Sequence, residues 1–341
     1  MSVKNEMYRT LPKKPTRLYT AAIRIAATAL LAMLPGIASA QQDYPSKAIR
    51  IIVPFPPGGS NDFLARLFGP KLTDILGVQV LVDNRGGGNT IIGNEAAAKS
   101  APDGYTLLLA GSSHVYIPHL YPKIPYDTLN DFTPVAGIAR GELILVVHPS
   151  LPVKTAPELV ALAKKNPGAL NYAVSSTGGP THLVAVQFEM VAGVKMQQVP
   201  YKGGGPAVTD LIGGHVQVGF QTPATVMPLV RSGKLRGVAV TGDKRLESVP
   251  DVPTFTESGL PGVSLRTWYV INAPSATPKA VIGKLGSAVQ KITAMPDIKA
   301  ALGKQGVDAY YAPSESADAA RREDSAIAAK LIKAANIRLT N

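Results

Sequence analysis

Two glycine pairs in this chain sit beside hydroxyl side chains: Gly58-Gly59-Ser60, and Thr177-Gly178-Gly179 with Thr181 just beyond. Glycine lets a backbone approach a ligand with no side chain between them, and free N–H groups at the start of a helix can hold an anion without lysine or arginine. Serine and threonine hydroxyls add donors for carboxylate oxygens. The chemistry available here is therefore anion capture, with Asp62 expected to cap local backbone and not to touch the anion. Ser112-Ser113-His114 is a further hydroxyl-bearing loop. Read as nucleophile and base it would make a serine-dependent hydrolase, but sequence neighbours at a strand end rarely face each other, and no G-x-S-x-G elbow is present.

Other chemistries lack their residues. Gly88 and Gly93 have phosphate-loop spacing, yet Asn94-Glu95 stands where Lys-Ser/Thr is needed. The five histidines, at 114, 119, 148, 182 and 215, show no metal-ligand spacing. With no cysteine, the chain has no disulfide, thiolate site or lipidated N-terminus. We expect no catalytic residue, metal or cofactor. Basic residues are spread along the chain and aromatics make up 6%, so no nucleic-acid partner is expected.

The loops need elements to hold them. Five times a short apolar run meets a glycine- or serine-rich loop and then an amphipathic helical pattern, with runs at Ile49 to Phe55, Val78 to Val82, Tyr105 to Ala110, Leu170 to Val174 and Gln197 to Tyr201. A helix is expected over Asn94 to Ser100, and Pro70 should kink the helix after the first loop. Strands alternating with helices predict parallel α/β sheets, where ligands bind beyond the carboxyl ends of strands. Extended segments Leu143 to His148 and Leu265 to Ala273 would cross between two lobes: 41–143 with 265–341, and 144–264. Trp268 and Tyr269, on the second crossing, are expected to serve hinge or core packing, and His182 to be a structural hydrogen-bonder. Ahead of all this, Lys4 to Arg24 is basic and Ile25 to Leu34 apolar, and Ala38-Ser39-Ala40 fits a signal peptidase, so residues 1–40 read as a signal peptide cleaved after Ala40. Losing its six Lys/Arg and one Glu lowers the net charge from +12 to +7.

The mature chain resembles the tripartite tricarboxylate transporter substrate-binding proteins, the Bug receptors. The resemblance rests on Tyr44-Pro45, Val53-Pro54-Phe55 with Gly58-Gly59 and Asp62, Asn84-Arg85, and Pro102-Asp103-Gly104-Tyr105. It continues through Asp131-Phe132-Thr133-Pro134, His182-Leu183, Val199-Pro200-Tyr201-Lys202-Gly203 and Pro250-Asp251-Val252-Pro253. It implies a type II periplasmic-binding fold, two α/β lobes with a hinge of crossing segments. It also implies a monomeric periplasmic receptor that delivers a small organic carboxylate to the membrane subunits of a tripartite transporter, or alternatively presents it to a membrane histidine kinase. The implied ligand-binding residues are Phe55, Gly58, Gly59 and Ser60 in one lobe and Thr177, Gly178, Gly179 and Thr181 in the other, with Ser112 and Ser113 as a third loop. Gln221-Thr222 stands where relatives often carry an acid. This and the other departures, Ser176, Gly179 and Ile117, point to a less polar pocket or one tuned to a monocarboxylate with an apolar or aromatic body.

Overall fold

A computed structural model describes residues 44–339; the expected leader, with its cleavage point after Ala40, lies outside the described residues. Strand β1 (Ile49–Val53) is β-branched and almost wholly buried, as a central strand must be. It runs to the Pro56–Ser60 loop and helix α1 (Ser60–Leu76), which ends on Gly77 in the left-handed region (φ 72°). Pro70 lies on the exposed side of α1, and the helix continues past it. Strand β2 (Val80–Asn84) leads to α2 (Ile91–Ala98), and β3 (Thr106–Gly111) to the one-turn helix α3 (Ser113–Tyr116). The expected second strand and its helix are thus present, displaced by a few residues.

Strand β4 (Phe132–Gly141) passes directly through Glu142-Leu143 into β5 (Ile144–Val147) of another sheet. There follow α4 (Ala156–Lys165), β6 (Asn171–Val174), α5 (Pro180–Ala192), β7 (Gln197–Pro200), α6 (Gly204–Ile212), β8 (Val218–Gln221), α7 (Pro223–Arg231) and β9 (Arg236–Val240). The chain returns along β10 (Thr267–Pro274) and closes with α8 (Lys279–Ala294), α9 (Pro296–Lys304), β11 (Val307–Pro313) and α10 (Ser314–Ala334). The strand orders are β11-β4-β10-β3-β1-β2 and β7-β6-β8-β5-β9, one sheet of six strands and one of five.

The sheets are mixed, not parallel as the strand–helix alternation predicts. β1 pairs in parallel with β2 and β3, and β6 with β7 and β8. The crossing strands β10 and β5 pair antiparallel with every neighbour, as do β4 and β11. The alternation rule holds for strands returned by a helix, whereas a strand that arrives from the other sheet carries no such constraint.

Each sheet has its own apolar filling. In the second, Phe188 sits between Phe220 and Phe255 at ring-centroid distances of 5.5 and 6.0 Å, within the range aromatic pairs prefer. At the crossings, Arg266 bridges Glu142 (3.0 Å) and Asp243 (2.7 Å). Trp268 Nε1 donates to Asp324 Oδ2 of α10 at 2.7 Å, which anchors the second crossing to the C-terminal helix.

Candidate functional site

The loops after β1, β3, β6 and β8 meet at the carboxyl ends of their strands, and two chambers lie among them. The inner chamber is small, about 50 Å³. Seven of the residues expected at a ligand site line it: Phe55, Gly59, Ser60, Ser112, Ser113, Thr181 and Thr222. Thr177 instead lines the second, outer chamber of about 270 Å³, which shares Phe55, Ser175 and Ser176 with the first.

Four helices of two or more turns begin around this space. Gly59 caps α1, Gly179 caps α5, Gly203 caps α6 and Thr222 caps α7, and none of these N-caps accepts a backbone N–H of its helix with a side chain. Their first N–H groups and dipoles therefore give the chamber positive potential with no cationic side chain in its wall. Its one ionisable group is Tyr269, whose hydroxyl burial pushes up while hydrogen bonding to Ser60, Thr267 and Thr222 works in the other direction. Ser60 Oγ and Thr222 Oγ1, one from each lobe, lie 2.5 Å apart, and Thr225 Oγ1 is 3.4 Å from Thr222 Oγ1.

The walls are held from behind. Asn61 Nδ2 donates to the Leu109 carbonyl (2.9 Å), tying α1 to β3. Ser112 Oγ accepts from the Trp268 N–H (3.0 Å), which fastens the third loop to the returning crossing. That bond uses Ser112 Oγ as an acceptor and leaves its O–H as a donor, while His114 Nε2 turns to the Thr128 carbonyl (3.2 Å). Thr181 Oγ1 accepts from Ser175 N at 3.0 Å and lies 2.9 Å from Ser175 Oγ, closing the second glycine loop on its helix.

The remaining expected residues shape loops and do not line either chamber. Gly58 takes φ 87° and donates its N–H to Asp62 Oδ2 (3.0 Å), so Asp62 does cap local backbone. Burial raises the Asp62 carboxyl, but the hydrogen bonds from Arg66, Gly58 and Asn84 outweigh it and hold the group below its ordinary value. Gly178 has φ 71°, and a Cβ there would fall 2.2 Å from Leu120 Cδ1. Its N–H donates to His182 Nδ1 at 2.9 Å, so His182 is the hydrogen-bonder its position implies, and burial lowers its pKa to about 4. Gly179 is the α5 N-cap, and Gln221 is buried behind the chamber with Nε2 on the Ala173 carbonyl (3.3 Å). Tyr269 goes the other way: expected in hinge or core packing, it lines the inner chamber together with Thr267. The two are spaced by two residues on β10 and so share a face, while Trp268 between them points to α10. That alternation is the signal by which both can be found. Asn61, Thr225 and Gly204 line the chamber with no motif to announce them.

Residues 64–337 match the tripartite tricarboxylate transporter family receptor. The chain belongs to this receptor family. Over 265 residues it is 38% identical to Protein BugT of Bordetella pertussis, covering 77% of this chain and 81% of BugT. Among solved structures, an R. palustris protein determined with adipate superposes with a TM-score of 0.85 at 32% identity, covering 88% of this receptor and all (100%) of that chain. The periplasmic binding protein BugD superposes with a TM-score of 0.83 at 30% identity, covering 87% and 100%. The receptor thus has the two-lobed α/β fold of periplasmic binding proteins.

Proposed function

We propose that this receptor captures a small organic carboxylate between its lobes in the periplasm and delivers it to the membrane subunits of a tripartite tricarboxylate-type transporter. The observation that carries the reading is the convergence of helix N-termini from both lobes on a hydroxyl-lined chamber that has no basic side chain in its wall. A carboxylate fits these donors. A larger polyanion would call for the arginine clamps that this wall lacks. The bound adipate of the R. palustris relative supports the same ligand class. In this reading the lobes are residues 41–143 with 265–341, and residues 144–264, and the chain reaches the periplasm through the leader cleaved after Ala40. Phe55, Ser60, Ser112, Ser113, Thr181 and Thr222 meet the anion, while Gly58, Gly59, Gly178 and Gly179 hold the loops that expose N–H groups.

A thermal-shift screen against di- and tricarboxylates, amino acids and aromatic acids tests it. A ligand at a hundred times its Kd stabilises the folded state by about 2.7 kcal/mol, so carboxylates should raise the melting temperature and their uncharged amides should not. Ser60→Ala with Thr222→Val should weaken the effect. If no carboxylate shifts the melting temperature, the reading fails.

A further inference from the structure

We infer that the chain just beyond α10, from Ile337 to Leu339, is a strap that braces Leu120 of one lobe against the second glycine loop of the other and so slows the release of a bound ligand. The inference rests on the receptor reading above and adds to it a control on the rate of exchange.

The strap begins where α10 stops. The Asn336 N–H donates to the Lys333 carbonyl and the Ile337 N–H to the Ile332 carbonyl, both at 3.1 Å, with Asn336 at φ 51°. These are the two bonds of a Schellman turn, and asparagine is among the few side chains that accept its left-handed residue. The turn breaks the helix direction and sends the chain to Leu120, whose carbonyl accepts the Leu339 N–H at 3.0 Å. The segment is thus pinned at both ends, with Ile337 and Leu339 half-buried and Arg338 between them exposed.

What it pins is a contact between the lobes. Leu120 lies against Gly178, where an added Cβ would fall 2.2 Å from Leu120 Cδ1. Leu183, in the first turn of α5, enters the same apolar cluster, and it and Leu120 are each only 2% exposed. Ile337 and Leu339 pack against that cluster, and Leu339 together with Tyr121 also lines the outer chamber. Parting the lobes takes Leu120 off Gly178 and uncovers Leu183, which costs apolar burial. The strap raises that cost in two ways: its own side chains add to the cluster, and the Leu339 bond fixes the backbone from which Leu120 projects. Neither depends on the charge of the ligand. A device of this kind acts on how often the lobes part, so it governs release more than capture.

Two changes test the strap: Ile337→Ser, which removes an apolar side chain that lines neither chamber, and ending the chain at Asn336. Without ligand, amide hydrogen exchange over residues 177–183 in the wild type and both variants reads the parting of the lobes. With radiolabelled adipate bound, dilution reads its release. Both rates should rise about four- to tenfold, which is what losing roughly half the contribution of a buried branched side chain gives, while exchange in β1 and β3 keeps its wild-type rate. Unchanged exchange at residues 177–183 or unchanged release would overturn the strap. So would exchange that quickens equally throughout the first lobe, since the segment would then serve only the packing of its own lobe. A wild type that binds no adipate would count against the receptor reading, and the exchange rates would still decide whether the segment braces the lobes.

Discussion

His182 shows how one side chain can hold a binding loop and set its acid tolerance. Its Nδ1 accepts the Gly178 N–H, so the folded state requires the neutral ring, and burial keeps the pKa near 4 against an ordinary 6.5. Above pH 6.5 the ring is neutral in both folded and unfolded chains and contributes no pH dependence. As pH falls from 6.5 toward 4 the unfolded chain takes up a proton that the folded one refuses, so stability declines by up to about 1.4 kcal/mol per pH unit. Below about 4 the folded ring protonates too and the decline from this residue ends. His114, buried and lowered to about 3, acts in the same direction over a wider window. Glu189 and Asp324, both raised by burial, act in the opposite one. His182→Asn keeps an acceptor in place of Nδ1 but cannot titrate. Urea unfolding at intervals from pH 7 to 4 should therefore show a shallower decline for the variant, and equal slopes would refute the assignment. The role of His182 was legible from its place at a helix start after two glycines. The buried pairing of His114 with the Thr128 carbonyl was not, because Thr128 lies in an irregular segment that no periodicity marks.

At the scale of elements, the glycines form a seam. Pro57 and Gly58 of one lobe face Gly205 of the other backbone to backbone: a Cβ on Gly205 would fall 2.8 Å from the Pro57 carbonyl oxygen, closer than real contacts allow. Gly205 is the second residue of α6 and its φ lies outside the left-handed region, so alanine suits the helix itself and should help it by roughly 0.5–1 kcal/mol. The clash exists only when the lobes meet. Gly205→Ala should leave the ligand-free melting temperature unchanged or slightly higher. It should weaken carboxylate affinity by about 1–3 kcal/mol, the usual cost of overpacking, as read by calorimetry. A lowered ligand-free melting temperature with unchanged affinity would show that the seam is not a closed-state contact. The strand-to-glycine transitions were visible in the sequence because a run of β-branched residues ending on a glycine pair has few other meanings. Which glycines line the chamber and which press on the opposite lobe was not visible, since that depends on partners more than a hundred residues away, such as Gly205 for Pro57. The antiparallel pairing of β5 and β10 was hidden for a similar reason: strand direction follows from the crossing, and local sequence carries no record of it.

For the whole molecule, hydrogen bonds that join the lobes across the cleft include Ser60 with Thr222, Asn89 with Thr177, and Arg231 donating to the Lys304 carbonyl, and beside them Leu183 of one lobe packs in an apolar cluster with Val115, Tyr116 and Leu120 of the other. Hydrogen bonds of this kind contribute about 1 kcal/mol each, because opening trades them for water. These hydrogen bonds alone therefore favour closure only weakly, and a ligand that touches both lobes at once adds to it, since only the closed form offers it both sets of helix N-termini. The hinge is suited to report the change. Trp268, the chain's one tryptophan, lies on the second crossing with its indole N–H on Asp324, beside the Ser112 bond that ties the crossing to the third loop. Saturating carboxylate should lower the radius of gyration in small-angle scattering and change Trp268 emission with the same midpoint. Thr222→Val, which removes the hydroxyl 2.5 Å from Ser60, should shift both midpoints to higher ligand concentration together. Binding by calorimetry without any change in radius would mean that the lobes are already locked by the protein's own contacts, and that ligand entry depends on loop opening and not on hinge motion.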